Sequence, residues 1–450
     1  MTLVLNKNWN VEKMDDIVVA KKHGAYASLE KLFQMQPDRV TEEVKAAGLR
    51  GRGGAGFSTG MKWSFVPKNT GKPVYLVINA DESEPGTFKD RHLLERDPHL
   101  LIEGMIAASY AIGAHTAYIY FRGEFFHQCE LFEAALFQAY ASKLLGKNIL
   151  GSGYDLEIYT HRGAGAYICG EETALLSSLE GYRGFPRIKP PFPAVEGLFS
   201  CPTIVNNVET ICAVPFILAK GASAYRKFGT EKSPGTKLFS VCGHVEKPGV
   251  YEVELGLPFA TFMNEYCGGV RGGRKLKAVV VGGSSVPVLT GEQILASRLD
   301  YESLQQSGTL LGSGGVIIFD DSVCAVEVLA DLARFYAHES CGQCTPCREG
   351  TGWAKKIVDR MERGDGDAQD LSVLFQLADN MQGRTICTLA DALAMPIRSW
   401  INCFRHEFEE HVRLRRCPMK RNTLDVRREN ISKLTNNSGG TNAGSQGCPA

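Results

Sequence analysis

Three cysteines, Cys341, Cys344 and Cys347, stand two residues apart each time in the segment 340–348. That spacing lets a single turn of backbone aim three thiolates at one inorganic centre, with Gly342 free to take strained dihedrals and Pro346 fixing the chain before the third sulfur. Four-iron clusters take three closely spaced cysteines and one distant one, whereas zinc sites more often join one C-x2-C pair to a second. The triplet therefore points to iron. A fourth thiolate must come from Cys387, Cys403 or Cys417, and Cys387 is the choice because it directly precedes a helical stretch. The alternative, a triplet packed in a core or tied in disulfides, conflicts with the reducing compartment expected below.

Two glycine-rich loops suggest a second kind of site. The first spans 48–60, with Gly51, Gly53, Gly54 and Gly56 ahead of Phe57, Lys62 and Phe65. Its backbone N–H groups can approach an anion closely, which suits a phosphate-bearing cofactor. It is no Walker loop, since Phe57 stands where a lysine belongs, and no clear strand precedes it as a Rossmann fingerprint requires. The second loop spans 163–173, where Gly165-x4-Gly170 is followed by Glu171 and Glu172 instead of a cation. Acids there would repel a triphosphate but suit hydroxyls, amides or the polar edge of a ring; without a ligand they would be solvated carboxylates at a helix start. Between the loops, Asn79, Asp81, Glu82 and Glu84 follow an apolar strand at 74–78, and strand carboxyl ends are where α/β sheets gather ligands. The acids there depart from calcium-loop spacing.

Elements able to position these residues alternate along the chain. Residues 1–45 hold a short amphipathic helix around Leu29 and Leu32 and a second helix that Thr41 would cap. Residues 46–230 alternate strand and helix, with strands at 74–78, 116–121 and 156–159 and helices at 93–112 and 130–142, the signature of an α/β layered domain. Residues 235–321 turn to short strands and a helix near 259–266, a compact α+β unit of β-grasp size. Residues 322–418 are helical, with Leu329, Leu332, Leu374 and Leu377 on apolar faces. Residues 419–450 are rich in Asn, Ser and Gly and read as a disordered tail, in which Cys448 is incidental.

At 450 residues the chain exceeds one ordinary core, and a prior of about 150 residues per domain suggests three. Fifty basic residues balance fifty acidic ones, so nothing marks a nucleic-acid-binding domain. Most of the cysteines outside the proposed cluster are scattered singly and read as buried thiols. No apolar run is long enough to cross a bilayer: the stretch 100–121 is broken by Glu103, Gly104, Gly113 and His115. Residues 1–16 resemble neither a signal nor a transit peptide, so a cytoplasmic chain is expected.

Taken together, the loop at 48–63, the segments 79–91, 162–181, 189–193 and 206–210, and the cysteine segment 339–350 with Cys387 closely resemble the NADH-binding flavoprotein subunits of respiratory complex I, the F subunits of bacterial NADH-quinone oxidoreductase, over about residues 20–415. The resemblance implies a Rossmann-like FMN- and NADH-binding domain, a β-grasp domain and a C-terminal helical bundle with one [4Fe–4S] cluster. It implies FMN contacts from Gly51, Gly53, Lys62, Asn79, Asp81, Glu82, Gly170, Glu171, Glu172, Asn206 and Asn207, with Gly54 and Gly56 in the same loop and Lys62 paired with the phosphate. NADH would be held by Phe57, Phe65 and Phe192, with Glu84 and Lys189 nearby; without the family, those phenylalanines read as core. Hydride would pass to the flavin and electrons singly to the cluster, so no general base is required, and Glu82, Glu171 and Glu172 would tune the flavin electrostatically, Glu82 and Glu172 as the acids closest to the chemistry. The implied partners are a small thioredoxin-like subunit with a two-iron cluster and a large multi-cluster subunit, in an assembly that reduces quinone and pumps protons at the inner face of the bacterial inner membrane. Two rivals remain: the diaphorase subunit of an NAD-linked hydrogenase or formate dehydrogenase, and a colourless zinc-binding docking scaffold.

Overall fold

The computed structural model describes residues 4–420; the tail expected beyond them, with Cys448, lies outside the described residues. Four parallel strands, β1 (Tyr75–Ala80), β2 (Thr116–Phe121), β3 (Glu157–Arg162) and β4 (Thr203–Asn207), form a sheet in the order β3-β2-β1-β4. Ile78 pairs with Ile119 on one side and with Asn206 on the other. The strand order thus reverses between β1 and β4, and Asn79, Asn206 and Asn207 stand at the carboxyl ends flanking that reversal, where open α/β sheets bind ligands. The sequence pattern does not mark β4, because its apolar run is short and passes directly through two asparagines into the helix Val208–Cys212.

Helix α1 (Thr59–Ser64) leaves the first glycine loop, and α2 (Pro98–Ile112) packs beneath the sheet. The single helix expected at 93–112 is two, Asp90–Arg96 and α2, parted at Asp97, whose side chain accepts from the Leu100 N–H while Pro98 starts the new helix. Helix α3 (Phe126–Ala141) sets Phe132 edge-on to Phe121 of β2, and α4 (Glu172–Leu179) opens from the second glycine loop. The helix expected to start at Thr41 begins instead at Pro37, with the φ-restricted ring at its first position. Residues ahead of 46 do not stand apart: Leu29, Leu32, Val40 and Val44 share a core with Leu101 and Met105. Glu103, the polar break in the apolar stretch, is buried and accepts from the N–H groups of Tyr26 at 2.6 Å and Ser28 at 2.9 Å, clamping the N-terminal segment.

A second sheet runs β6-β5-β9-β7-β8, from β5 (Thr236–Gly243), β6 (Gly249–Glu254), β7 (Leu276–Val281), β8 (Leu289–Thr290) and β9 (Gly315–Asp320). Its central pair, β5 and β9, is parallel and the other pairs antiparallel. A buried charge network joins the two sheets. Lys89 Nζ lies 2.8 Å from Glu209, Lys237 of β5 reaches the same carboxylate at 3.2 Å, and Arg52 donates to the Tyr225 hydroxyl and the Pro234 carbonyl. Burial pushes the Lys237 ammonium down to about 7, against the pull of Glu209. The last unit packs α5 (Ala325–Glu339), α6 (Thr345–Arg363), α7 (Gln369–Met381) and α8 (Leu389–Leu414) around Leu329, Val358, Leu374, Leu393 and Trp400.

Candidate functional site

The cysteine triplet is the turn between α5 and α6. Gly342 has φ +77°, Cys344 immediately precedes α6, and Pro346 and Cys347 lie in its first turn. The Arg348 guanidinium donates to the Gly342 carbonyl at 3.1 Å and braces the turn. Cys387, just before α8, is the distant cysteine brought to the triplet: its thiol feels those of Cys347 and Cys341. Burial pushes the Cys387 thiol up to about 12 and the Cys347 thiol up to about 11, with neighbouring sulfurs adding to both. Thiols that resist ionising alone, as those of Cys347 and Cys387 do, suit a positively charged inorganic core, which would stabilise their thiolates. Cys403 packs toward the Val288 carbonyl instead, and Cys417 lies beside Cys324.

A cavity of about 450 Å³ opens between the sheets, within the usual range of small-molecule sites. Its walls include Gly53 and Gly54 of the first loop, Asp81 and Glu84 after β1, Gly170 and Glu171 of the second loop, and Cys387. The first loop is a folded structure, not a flexible one: the Gly51 N–H donates to the Phe57 carbonyl at 2.8 Å, and the Tyr301 hydroxyl donates to the Gly51 carbonyl at 2.9 Å. A Cβ on Gly53 would fall 2.9 Å from the Cβ of Asn207, and one on Gly56 would lie 2.4 Å from the Tyr301 ring. A Cβ on Gly54, at φ +155°, would meet nothing within 4 Å. The loop backbone is thereby bare on its open side, as a closely held phosphate-bearing ligand requires.

Several expected contacts are engaged elsewhere. Glu82 does not line the cavity: its Oε1 accepts from the N–H groups of Lys89 at 2.7 Å and Asp90 at 2.8 Å, anchoring the helix that follows. Glu172 also stands off the wall, holding Lys62 at 2.8 Å and Lys189 at 3.2 Å. Despite the burial that raises it, those two ammonium groups hold its carboxyl below the ordinary range. Lys62 further donates to the Val205 carbonyl at 2.9 Å, so in this structure two of its three N–H bonds go to protein acceptors. Asn206 accepts from Trp63 Nε1 at 2.8 Å, Asn207 donates to Asp90 at 2.7 Å, and Asn79 donates to the Gly170 carbonyl at 2.8 Å. Phe57, Phe65 and Phe192 are not core residues, being 52, 51 and 59 % exposed, and the first two rings lie 6.0 Å apart.

The acids on the wall are Asp81, Glu84, Glu171 and, from the start of α8, Asp391. Burial holds the Asp81 carboxyl up to about 7, and it raises that of Glu84. Sequence reasoning missed the residues that set Glu84 in place: the Tyr167 hydroxyl donates to it at 2.7 Å and the Ser285 N–H at 2.8 Å. Tyr167 also donates its N–H to Glu339 at 3.0 Å, linking the second glycine loop to the helix that ends at the cysteine turn. Tyr167 lies inside a loop that the sequence singles out, whereas Ser285, in the turn between β7 and β8, gives no local signal.

Comparison with known proteins gives these features their class. The family described as the Nuo51 FMN-binding domain matches residues 44–216, an SLBB domain matches 237–318, and the NADH-ubiquinone oxidoreductase-F iron–sulfur binding region matches 327–411. The chain is thus an oxidoreductase subunit with an FMN-binding domain and a 4Fe–4S-binding region. Its relatives include the F subunit of NADH-quinone oxidoreductase from Rickettsia felis, 51 % identical over 90 % of this chain and 96 % of that protein. Another is the F subunit numbered 2 of the same enzyme from Rhizobium meliloti, 50 % identical over 92 % of this chain and 99 % of that protein. The chain belongs to the family of NADH-quinone oxidoreductase F subunits. Among solved structures, an NAD+-reducing [NiFe]-hydrogenase in the air-oxidized state superimposes with a TM-score of 0.78 at 39 % identity, over 86 % of this chain; the chain spans only 65 % of that one.

Proposed function

We propose that this chain is the electron-input subunit of a complex I-type NADH-quinone oxidoreductase, with FMN in the 450 Å³ cavity and a [4Fe–4S] cluster on Cys341, Cys344, Cys347 and Cys387. The observation that carries the reading is the shared wall: Cys387 lines the same cavity as the glycine loops and the strand-end acids. When bound, FMN supplies the conversion of a two-electron hydride from NADH into single electrons for the cluster.

The chain's own residues have defined tasks. Gly51, Gly53, Gly54 and Gly56 keep the first loop thin, and Asn79, Asn206 and Asn207 fix the strand ends through hydrogen bonds. Asp81, Glu84, Gly170 and Glu171 form the polar wall that meets hydroxyls and ring atoms. Lys62, beside Glu172, supplies the cation for the phosphate, and Glu82 and Glu172 act on the flavin through their field, not by contact. Phe57, Phe65 and Phe192 offer exposed aromatic faces to NADH, with Lys189 nearby. On strand order, the first sheet is read as Rossmann-like and the second, with its parallel central pair, as a β-grasp.

Electrons then leave through partners: a thioredoxin-like protein with a two-iron cluster and a large multi-cluster protein, for quinone reduction coupled to proton translocation at the inner face of the bacterial membrane. No helix among the described residues is long and apolar enough to cross a membrane. The hydrogenase-type diaphorase is the second reading, favoured by the superposition. The two relatives from NADH-quinone oxidoreductase named above, however, are covered over 96 and 99 % of their length, against 65 % for the hydrogenase chain. Anaerobic addition of NADH to the purified protein tests the core of the proposal. Bleaching of a flavin band with the appearance of a reduced-cluster paramagnetic signal is expected; a colourless protein indifferent to NADH would refute it. Co-purification with membrane subunits, and not with a hydrogenase or formate-oxidising partner, separates the two readings.

A further inference from the structure

A second convergence of metal-ligating side chains lies at the opposite end of the helical unit from the cluster cysteines. Cys324 caps the start of α5, Glu362 lies near the end of α6, His411 near the end of α8, and Cys417 three residues past it. All four side chains are buried or nearly so, and their ligand atoms lie within 4.8 Å of one another. The 15 residues of α5 put this quartet roughly 22 Å along the helix axis from the turn that bears Cys341.

The distances approach those of a coordination shell. Cys324 Sγ is 3.4 Å from His411 Nε2, Glu362 Oε2 is 3.5 Å from the same nitrogen, and Cys324 Sγ is 4.0 Å from Glu362 Oε2. Bonds of about 2.0–2.3 Å in a tetrahedron separate ligand atoms by roughly 3.3–3.8 Å.

The imidazole is already oriented. His411 Nδ1 lies 2.7 Å from the Glu407 carbonyl oxygen, which can only accept, so Nδ1 carries a proton and Nε2 is the ring atom turned toward Glu362 and Cys324. A ring nitrogen facing a carboxylate oxygen at 3.5 Å needs a proton or a cation between them. The other carboxylate oxygen, Glu362 Oε1, is held by Lys420 at 2.5 Å, and Lys420 also reaches Glu327 at 3.0 Å.

We propose that Cys324, Glu362, His411 and Cys417 bind one zinc ion, a structural centre that fastens the end of the helical unit remote from the cluster. Two thiolates, one imidazole and one carboxylate form a closed tetrahedral set suited to Zn2+. Binding displaces the protons of both thiols, and the resulting shell of net charge −1 is offset by Lys420. The centre ties α5, α6 and α8 at one end. At their other ends the same helices border Cys341, Cys344 and Cys347, and Cys387, so it holds in register the elements that present the cluster ligands.

The test uses the full-length protein purified with its flavin and cluster. Elemental analysis after passage through a chelating resin is expected to give one zinc per chain for the wild type and less than about a tenth of that for Cys324→Ser and Cys417→Ser. Cys387→Ala should keep its zinc, which separates this site from zinc misloaded in the cluster pocket. Alkylation of Cys417 by N-ethylmaleimide should speed up at least tenfold once a strong chelator strips the metal. Should the serine variants fail to fold, His411→Gln and the wild-type measurement decide. Three results overturn the proposal: no zinc in the wild type even after incubation with zinc sulfate, zinc lost with Cys387→Ala but kept in Cys417→Ser, or a disulfide-linked Cys324–Cys417 peptide.

Discussion

Around the cavity, nearly every polar side chain already has a protein partner, whereas the four cysteines proposed to hold the cluster have almost none. Glu84 receives Tyr167 and Ser285, Asn79 holds Gly170, and Glu172 is clasped by two lysines. In the cysteine turn, the triplet's side-chain bond is a 3.2 Å approach of the Ser340 hydroxyl to Cys347. The cavity is thus preorganised by the chain itself, and the thiol quartet is completed only by what it binds. Substitutions on the two sides should therefore fail differently.

Cys387→Ala should produce the largest effect: complete loss of the cluster's paramagnetic signal with flavin still bound stoichiometrically. A full cluster signal would show that the two regions are not separable in this way. Beneath the cavity, Glu209→Gln leaves Lys89 and Lys237 buried beside a neutral group, and a loss of about 3–5 kcal/mol in unfolding free energy is expected from denaturant titration. Gly53→Ala drives a methyl group against Asn207 and should cost about 1–3 kcal/mol, read as a roughly five- to 150-fold weakening of FMN binding in fluorescence titration.

Smaller effects follow from single groups on the wall. The folded pKa of Asp81 is raised to about 7, above the ordinary value near 3.9, so the folded state retains a proton that the unfolded chain has lost. Its contribution to stability therefore falls as pH rises from about 4 to about 7 and is level above that. Asp81→Asn should flatten that part of the profile, measured as unfolding midpoints at pH 5 and pH 8. Phe65→Ala, at an exposed ring, should change stability by less than about 0.5 kcal/mol while raising the KM for NADH several-fold, as steady-state kinetics would show.

What can be read from the sequence divides along the same line. The cysteine turn is legible because its proposed ligands are local: the spacing of Cys341, Cys344 and Cys347 makes a single turn, and Cys387 stands at a helix start. The glycine loops are legible as backbone features. The pairing of the cavity's acids is not, because Glu82, Glu84 and Glu172 look alike in sequence, and only the positions of Lys89, Ser285 and Lys62 decide which of them faces the cavity. For the same reason β4 and the true start of the helix at Pro37 escape a sequence reading: one depends on its neighbour β1, and the other on a proline outweighing a nearby threonine.

The shared wall also bears on how the protein is made. Gly53 and Cys387 border one cavity from opposite ends of the chain, with Ser285 of the β7–β8 turn between them in order of synthesis. Chains emerge at about 5–20 residues per second and fold domain by domain. The α/β domain can therefore fold while its intended pocket still lacks a side. Cofactor loading becomes a late event in biogenesis, timed by release of the C-terminal helices from the ribosome.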